Sequence, residues 1–381
     1  MEEVIIVGGG LVGKVTALAL RDAGLSAALV QMPKTPDSNA NWDSRIYALS
    51  PGSVRFLENC KAWEHVDQSR VAQIAEMHIY GDDGKSLLIF SAHEAATPML
   101  AVTVENRELE QAMGVAATGI ETHFGGCDSL DWDDDSVVLG LSGGGELRAH
   151  LIVGADGANS WVREQAGIVS YSRSYGQSAV VANFECEKPH RNIAYQWFRR
   201  DGVLAYLPLP GERVSIVFST WDEEARKLAT SPAPEFCAAV AEAGRHVLGE
   251  LSLITPARIF SLQKMEVEQL IGPRVVLVGD AAHVVHPLAG QGVNIGFRDA
   301  YELAKVLQRS RAIGDCGDRM LLRRYERSRK EDHMSMGFTT DGLQKLFNNN
   351  NVWLSAVRNL GLKLTDSTRP LKTALIRRAL T

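Results

Sequence analysis

The apolar positions of the chain change their period several times, and each change marks a new kind of element. Residues 4–7, VIIV, form a short unbroken apolar run, as expected of a strand buried on both faces of a parallel sheet. GGGLVGKVTALALRDAG then predicts a Gly-rich turn and an amphipathic helix closed by Gly24, and SAALVQM predicts the next strand. Together they make a βαβ unit, whose right-handed crossover belongs in a parallel sheet. The middle of the chain has a different texture. Residues 73–91 predict two strands around a DDG turn, and residues 176–221 continue as short β-rich runs: SAVVANFECE, NIAYQWF, VLAYLPLP and RVSIVFSTW. Between these regions lie a helical stretch, ENRELEQAMGVAAT, then hairpins and LIVGADGANSWVREQAG; from residue 274, RVVLVGDAAH returns to strand and helix. This order predicts an α/β class protein. A discontinuous nucleotide-binding domain spans 1–71, 103–174 and 266–345, a β-rich domain is inserted as 72–102 and 175–265, and a helical, basic segment follows at 346–381.

Composition narrows the class without choosing a function. Apolar residues make up 45% of the 381 and charged residues 23%, ordinary values for a soluble globular protein. A net charge of −6 argues against a dedicated nucleic-acid binder. Cys60, Cys127, Cys186, Cys237 and Cys316 form no C-x-x-C pair, which favours a reducing compartment over a disulfide framework or a zinc knuckle. The apolar start has neither a basic leader nor a small-residue cleavage site, and no run of about 18 apolar residues occurs. A cytoplasmic location is the expectation.

Three glycine-centred segments carry the candidate chemistry. Gly8, Gly10 and Gly13 form a G-x-G-x-x-G directly after a strand and opening a helix. In that setting Gly8 permits the tight turn, Gly10 lets backbone approach a pyrophosphate, and Gly13 allows close helix–strand packing. The helix N-terminus adds free N–H groups and the positive end of its dipole. The acidic residue expected about 20 residues further on, at the ribose, is here Gln31. A neutral amide in that place forgoes roughly 1 kcal/mol of charge-assisted bonding. The second segment, GADGANSWVR, puts Asp156 and Gly157 after an apolar strand; on its own it also suits a strand-to-helix turn capped by Asp156 or Ser160. The third, GDAAHVVHPLAGQGVNIGFRDA, begins at Gly279 and Asp280 and enters a helix near Gly292. Asp280, His283 and His286 at first sight also suit a metal, but one short segment supplies too few second-shell groups for that reading.

A dinucleotide dehydrogenase needs only the first segment. All three, in this order, resemble the FAD-dependent group A aromatic monooxygenases, and within them the UbiH/UbiF-type ubiquinone-biosynthesis hydroxylases. The resemblance rests on SRIYALS (44–50), VENRELEQAM (104–113), GADGANSWVR, the GDAAHxxHPLAGQGxNxGxxDA run and TTDGLQKLFNNNNVWLSAVRNLGL (339–362), nearly end to end. It implies an FAD/NAD(P)-binding Rossmann-like domain of the p-hydroxybenzoate hydroxylase (GR2) type with an inserted β-rich substrate domain. It implies FAD as cofactor and NAD(P)H and O2 as co-substrates, with a flavin C4a-hydroperoxide transferring oxygen to the ring of a polyprenylated phenol. The glycine turn then holds the pyrophosphate, Asp156 and Gly157 lie close by, and Gly279 with Asp280 holds the ribitol chain. Arg45 and Arg107 approach the phosphates or the flavin side. Pro287, Gly290, Gln291 and Gly292 bring backbone against the isoalloxazine, with Asn294 in the same run counted among the cofactor residues. His286, Pro287 and Gly290 are the catalytic-side candidates. Among weaker candidates, His283 reads as packed core, Arg163 as a helix surface charge and Asp299 as a helix-internal hydrogen-bonder.

Departures and alternatives remain at this stage. Val203 stands where the family's roof segment usually has proline, which bears on loop rigidity. Tyr206 reads as packing, or else as a phenol polariser. Residues 351–381 hold six basic side chains and one acidic, interleaved with Trp353 and leucines, and suit either an anionic membrane surface or an ordinary solvated helix. Hydroxylation of a small soluble aromatic acid is the nearest alternative function. A halogenase lacks its W-x-W-x-I-P here, with only QWF at 196–198. A non-catalytic flavoprotein subunit of a quinone-biosynthesis complex is the alternative from another class.

Overall fold

The computed structural model describes residues 2–33, 41–83, 86–285, 292–309 and 314–332. The chain opens with strand β1 (Glu2–Val7), helix α1 (Leu11–Asp22) and strand β2 (Ala27–Gln31). Every residue of VIIV is buried, as the unbroken run requires. Helix α1 stops as the sequence predicts: Gly24 takes φ +80, donates to the Arg21 carbonyl, and the Leu25 N–H reaches back to Leu20. Next come β3 (Ile46–Leu49), α2 (Pro51–Asn59), β4 (Ala72–Ile74), β5 (Glu76–Tyr80), β6 (Leu87–Ser91), β7 (Ala101–Glu105) and α3 (Asn106–Ala116). Strands β8 (Glu121–Phe124), β9 (Cys127–Trp132), β10 (Val137–Leu141) and β11 (Glu146–Gly154) lead to the short α4 (Trp161–Gln165). The long β12 (Ser170–Cys186) begins a run of β13 (Ile193–Phe198), β14 (Val203–Leu209) and β15 (Arg213–Trp221), then α5 (Asp222–Thr230) and α6 (Ala233–Ala243). Strands β16 (Leu251–Leu253), β17 (Arg258–Val267), β18 (Ile271–Gly272), β19 (Val275–Leu277) and β20 (His283–Val284) precede α7 (Gly292–Leu307) and a further helical stretch over 319–332.

These strands form three sheets. The first has order β18-β19-β11-β1-β2-β8, with the β9–β10 hairpin added beside β11. From β19 to β8 every neighbouring pair is parallel, and Val7 aligns with Gly154 and Gly154 with Leu277. The turns that follow β1, β11 and β19 therefore leave the same edge side by side. The second sheet has order β20-β17-β12-β15-β14-β13-β5-β6. Its odd and even residues part company. Val180, Phe184, Tyr195, Trp197, Leu204 and Tyr206 pack with α6 residues Phe236 and Val240 in one core on the back face. A small third sheet, β3-β7-β4, lies against β14, where the Thr103 hydroxyl donates to the Pro208 carbonyl. Tyr206 belongs to the back face and donates its hydroxyl to the Val240 carbonyl at 2.7 Å. It is a packing residue.

Two weaker expectations are corrected here. Asp299 is not a helix-internal hydrogen-bonder. Its wholly buried carboxylate accepts from the Gly279 N–H at 2.9 Å, His283 Nε2 at 2.7 Å and Arg329 Nε at 2.6 Å. His283 is thus buried, as a hydrogen-bond partner joining the GD turn to α7. Arg163 is no surface charge either. It is 6% exposed, donating to the Ala281 carbonyl at 3.1 Å and the Ala158 carbonyl at 2.9 Å.

Replacing Asp299 with leucine leaves Arg329 and His283 buried without that carboxylate. The expected loss is about 3–5 kcal/mol of apoprotein unfolding free energy. Arg148→Met, which breaks an exposed pair with Asp133 at 3.3 Å, should cost under about 1 kcal/mol. Urea unfolding of the two variants side by side gives the comparison; equal losses would reject the buried network as a support.

Candidate functional site

The shared sheet edge explains the glycines. Gly8 takes φ +123, and a methyl group built on it would stand 2.2 Å from the Ala155 carbonyl oxygen. One built on Gly13 would stand 1.8 Å from the carbonyl oxygen of Gly8, whereas one on Gly10 meets nothing within 4 Å. Two of the glycines let backbones touch, and the third keeps a face open. Helix α1 starts at Gly10 with no side-chain cap and no acidic residue in its first turn. Its leading N–H groups are left for an anion. Gln31 folds onto this turn: a methyl on Gly9 would lie 1.9 Å from its Oε1. Beyond it, Met32 and Phe124 are each 65% exposed at the same edge, apolar surface for a flat ring.

The DG turn adds a carboxylate. Ser160 is the N-cap of α4, as one sequence reading allowed, with the Arg163 N–H at 3.0 Å from its hydroxyl. Asp156 Oδ2 accepts from the Val162 N–H at 3.0 Å, while Oδ1 is buried with no partner. An orphaned carboxylate oxygen beside an open glycine face has the chemistry to take a ligand hydroxyl. Gly157, at φ +86, leaves the space next to it clear.

The GD turn faces the second sheet. Asp280 is open to solvent, yet protein atoms crowd around its carboxyl. Burial pushes its carboxyl above the usual range, with His283 opposing, Asp299 reinforcing and Arg45 opposing. Both descriptions hold for a group lining a cleft. Tyr47 shares that cleft: burial raises its phenol, against Arg45, to which it is hydrogen-bonded, while Asp280 and Glu110 raise it further. Arg45 also lies 5.7 Å over the Phe260 ring of β17. Arg45, Tyr47 and Asp280 thus converge from two distant segments.

What delivers Arg45 is a frame invisible in the sequence. Glu105 is wholly buried and accepts from the Asp43 N–H at 2.5 Å and Arg70 Nε at 2.7 Å. Its burial raises the carboxyl, and the Asp43 N–H and Arg70 hold it down. Arg70 stacks 3.7 Å over Trp42, and both it and Arg107 donate to the Asn41 carbonyl, at 2.6 and 3.4 Å. Arg107 is therefore placed at the start of α3 beside this frame. Asn294, expected among the cofactor residues, has its side chain engaged in this frame. Its Oδ1 accepts from the Ser50 N–H at 2.9 Å and the Ser53 hydroxyl at 2.7 Å, and its Nδ2 donates to the Ala48 carbonyl at 2.8 Å. It ties the start of α7 to the strand that carries Tyr47.

Toward the Arg45 segment, the front face of the second sheet is partly uncovered. Val181, Val217 and Ala205 align in register across β12, β15 and β14, with Leu207 beside them. All four are only partly covered, while the alternate residues behind them are buried. Asn183, on the same face, donates to the Asp43 carbonyl at 2.8 Å, which fixes that face toward the Arg45 segment. The result is a small aliphatic cup. Sequence reasoning missed it, along with Tyr47, Glu105 and Arg70; the only available signal was the alternation within VLAYLPL.

His286, Pro287, Gly290 and Gln291 lie outside the described residues, as does the basic segment 346–381. Gly292 begins α7. Among the described residues no cluster of His, Cys, Asp and Glu suits a metal ion. Burial raises the Cys60, Cys186 and Cys316 thiols to about 12, so none of these is a thiolate at neutral pH. The open Gly10 face, the uncapped α1 and the orphaned Asp156 oxygen fit the FAD that the sequence resemblance implies.

Gly10→Ala should cost the apoprotein under about 1 kcal/mol, because the site has room for a methyl. It should weaken FAD binding by at least about tenfold, which is 1.4 kcal/mol; fluorescence titration that finds unchanged affinity would remove the pyrophosphate from this turn. Gln31→Glu should tighten FAD by roughly 1 kcal/mol, read in the same titration, and no gain would mean Gln31 does not face the ribose.

The comparisons agree with this geometry. The FAD binding domain family matches residues 1–336. The chain is 34% identical to the 3-demethoxyubiquinol 3-hydroxylase of Escherichia coli (strain K12), over 99% of this chain and 98% of that protein. It is also 34% identical to the ubiquinone hydroxylase UbiL of Rhodospirillum rubrum, over 99% and 89%. Among solved structures, HpxO of Klebsiella pneumoniae complexed with FAD and uric acid shares the fold with TM-score 0.78 at 17% identity, over 98% of this chain and 96% of that one. A match over most of the chain, joined to relatives of this identity and coverage, fixes its place: the chain belongs to the FAD binding domain family, among the FAD-dependent aromatic monooxygenases of the ubiquinone-biosynthesis hydroxylase group.

Proposed function

We propose that the protein uses FAD, NAD(P)H and O2 to hydroxylate the aromatic ring of a polyprenylated phenol in ubiquinone biosynthesis. The observation that supports this most is the aliphatic cup of Val181, Val217, Ala205 and Leu207, on the sheet face turned toward the Arg45 segment. Bound FAD supplies the redox chemistry, taking electrons from the nicotinamide and activating O2 for transfer to the ring. The chain's own residues bind, orient and exclude water. Gly10 and the N-terminus of α1 would take the pyrophosphate, Asp280 would accept from ribityl hydroxyls, and Arg45 would offset nearby negative charge. The cup would seat an apolar ring and keep water from it. In domain terms, a discontinuous FAD-binding domain carries the turns, and the helix-backed sheet forms the roof.

One observation favours a second reading, hydroxylation of a small aromatic acid. Arg258 pairs in register with Val181 and is exposed at the rim of the cup, where it could meet a carboxylate. The experiment that separates the readings measures NAD(P)H oxidation and product mass with a short-chain prenylated phenol and with a hydroxybenzoate. The first compound should stimulate oxidation and gain one oxygen atom. Stimulation by the acid alone would favour the second reading, and FAD-bound protein silent to both would favour a non-catalytic flavoprotein subunit.

A prenylated substrate dissolves in membranes, and the six basic side chains of residues 351–381 suit an anionic lipid surface. No helix among the described residues is long and apolar enough to cross a membrane. Sedimentation with anionic vesicles should therefore fall when Arg377 and Arg378 are both changed to glutamine, by about 1 kcal/mol of binding per charge; unchanged partition would sink the peripheral contact.

A further inference from the structure

The front face of the second sheet carries a polar side chain, Gln196, that no described residue anchors. Gln196 lies on β13 between Tyr195 and Trp197, both of which point into the helix-backed core. Strand alternation therefore turns Gln196 to the opposite face. There it pairs in register with Ala205 on one side and Ile79 on the other, so it stands directly beside the cup.

Its surroundings make it unusual. Gln196 is 8% exposed, and its amide hydrogen-bonds to none of the described residues. The other amides of this face are anchored through their nitrogens: Gln177 donates to the Asp201 carbonyl at 3.1 Å and Asn183 to the Asp43 carbonyl at 2.8 Å, with Asn183 Oδ1 left buried and unpartnered. The amide tip of Gln196 is not fully covered, so it stays open to a hydrogen-bond partner arriving at the cup. The four cup residues themselves offer a ring oxygen no hydrogen-bonding side chain; Asn183 and Ser215 flank them at the far end. An accessible amide that the fold does not anchor, bordering four aliphatic side chains, has the character of a recognition element.

We propose that Gln196 is the polar specificity determinant of the ring site, its amide oxygen accepting a hydrogen bond from a hydroxyl on the substrate's aromatic ring. The proposal rests on the ring-hydroxylation reading of the same cup. A neutral amide binds the phenol in its protonated form and orients the ring without removing its proton. Because sites built around such a bond reject analogues lacking the hydroxyl, the native enzyme should prefer a phenol to the matching arene.

The test uses the FAD-loaded full chain and two probes, a short-chain prenylated phenol and the prenylbenzene of the same tail, with binding followed by perturbation of the flavin spectrum. The native protein should bind the phenol at least about tenfold more tightly. Gln196→Met should retain FAD affinity and bind both probes alike, through loss of the phenol preference. Should the methionine variant fail to fold, Gln196→Glu, which keeps size and acceptor oxygens, should retain the preference. A full preference in Gln196→Met, or none in Gln196→Glu, would overturn the role of Gln196 while leaving the ring site standing. Native protein that binds neither probe would overturn the ring site and this proposal together.

Discussion

The structure depends on one constraint, the parallel register of β2, β1, β11 and β19. Neighbouring strands lie about 4.8 Å apart, so four consecutive strand ends span about 15 Å of one sheet edge. In spatial order those ends carry Gln31, the turn of Gly8 and Gly10, Asp156, and Asp280. The chain order is different, because β11 and β19 arrive only after long excursions through the other sheets. The spatial order is that of the parts of an extended FAD: ribose, pyrophosphate, and ribityl chain. Parallel strands fix both the spacing and the direction of the turns, and ligands of open α/β sheets gather at carboxyl edges for that reason.

A row of turns holds a geometry only if the turns cannot drift, and here three buried charges prevent drift. Asp299 joins the Gly279 N–H to helix 319–332 through Arg329. Arg163 bridges Ala158 of the DG turn and Ala281 of the GD turn. Glu105 gathers Asp43 and Arg70 under the segment that presents Arg45. In each case the charged group bonds backbone atoms of a turn, which an apolar side chain cannot do. Apolar packing of equal volume is often as stabilising as a buried ion pair, so the return from these residues is position rather than stability.

This explains what could be read from the sequence and what could not. The Gly8-Gly10-Gly13 turn, the helix stop at Gly24 and the alternation of sheet types depend on neighbours within a few residues, and local pattern revealed them. Arg163 and Asp299 were misread because their partners lie beyond the local window: Ala281 is 118 positions from Arg163 and Arg329 is 30 from Asp299. Hydropathy was also silent on the cup. Ala205 and Leu207 look like their buried neighbours Leu204 and Tyr206, and only the packing of α5 and α6 on one face decides which set stays open. Gly202 lies so close to β15 that a methyl on it would stand 1.8 Å from the Ser219 carbonyl oxygen, and that contact sets the turn.

The division of labour within the site follows from its chemistry. Oxygen transfer to a ring asks the protein for few reactive groups, because the cofactor carries the electronic step. It asks for a dry wall on one side and fixed charges on the other. A wall of Val181, Val217, Ala205 and Leu207 has no proton to leak and no hydrogen bond to hold water. Arg45, Tyr47 and Asp280 keep the charge at the sheet edge, where their partners are backbone-anchored. Polar groups scattered through the wall would admit water to the ring, whereas a wall with none would leave the ring free to turn in its plane. A neutral amide at the border of the wall reconciles the two demands, and the register of β13 with β14 puts Gln196 at that border.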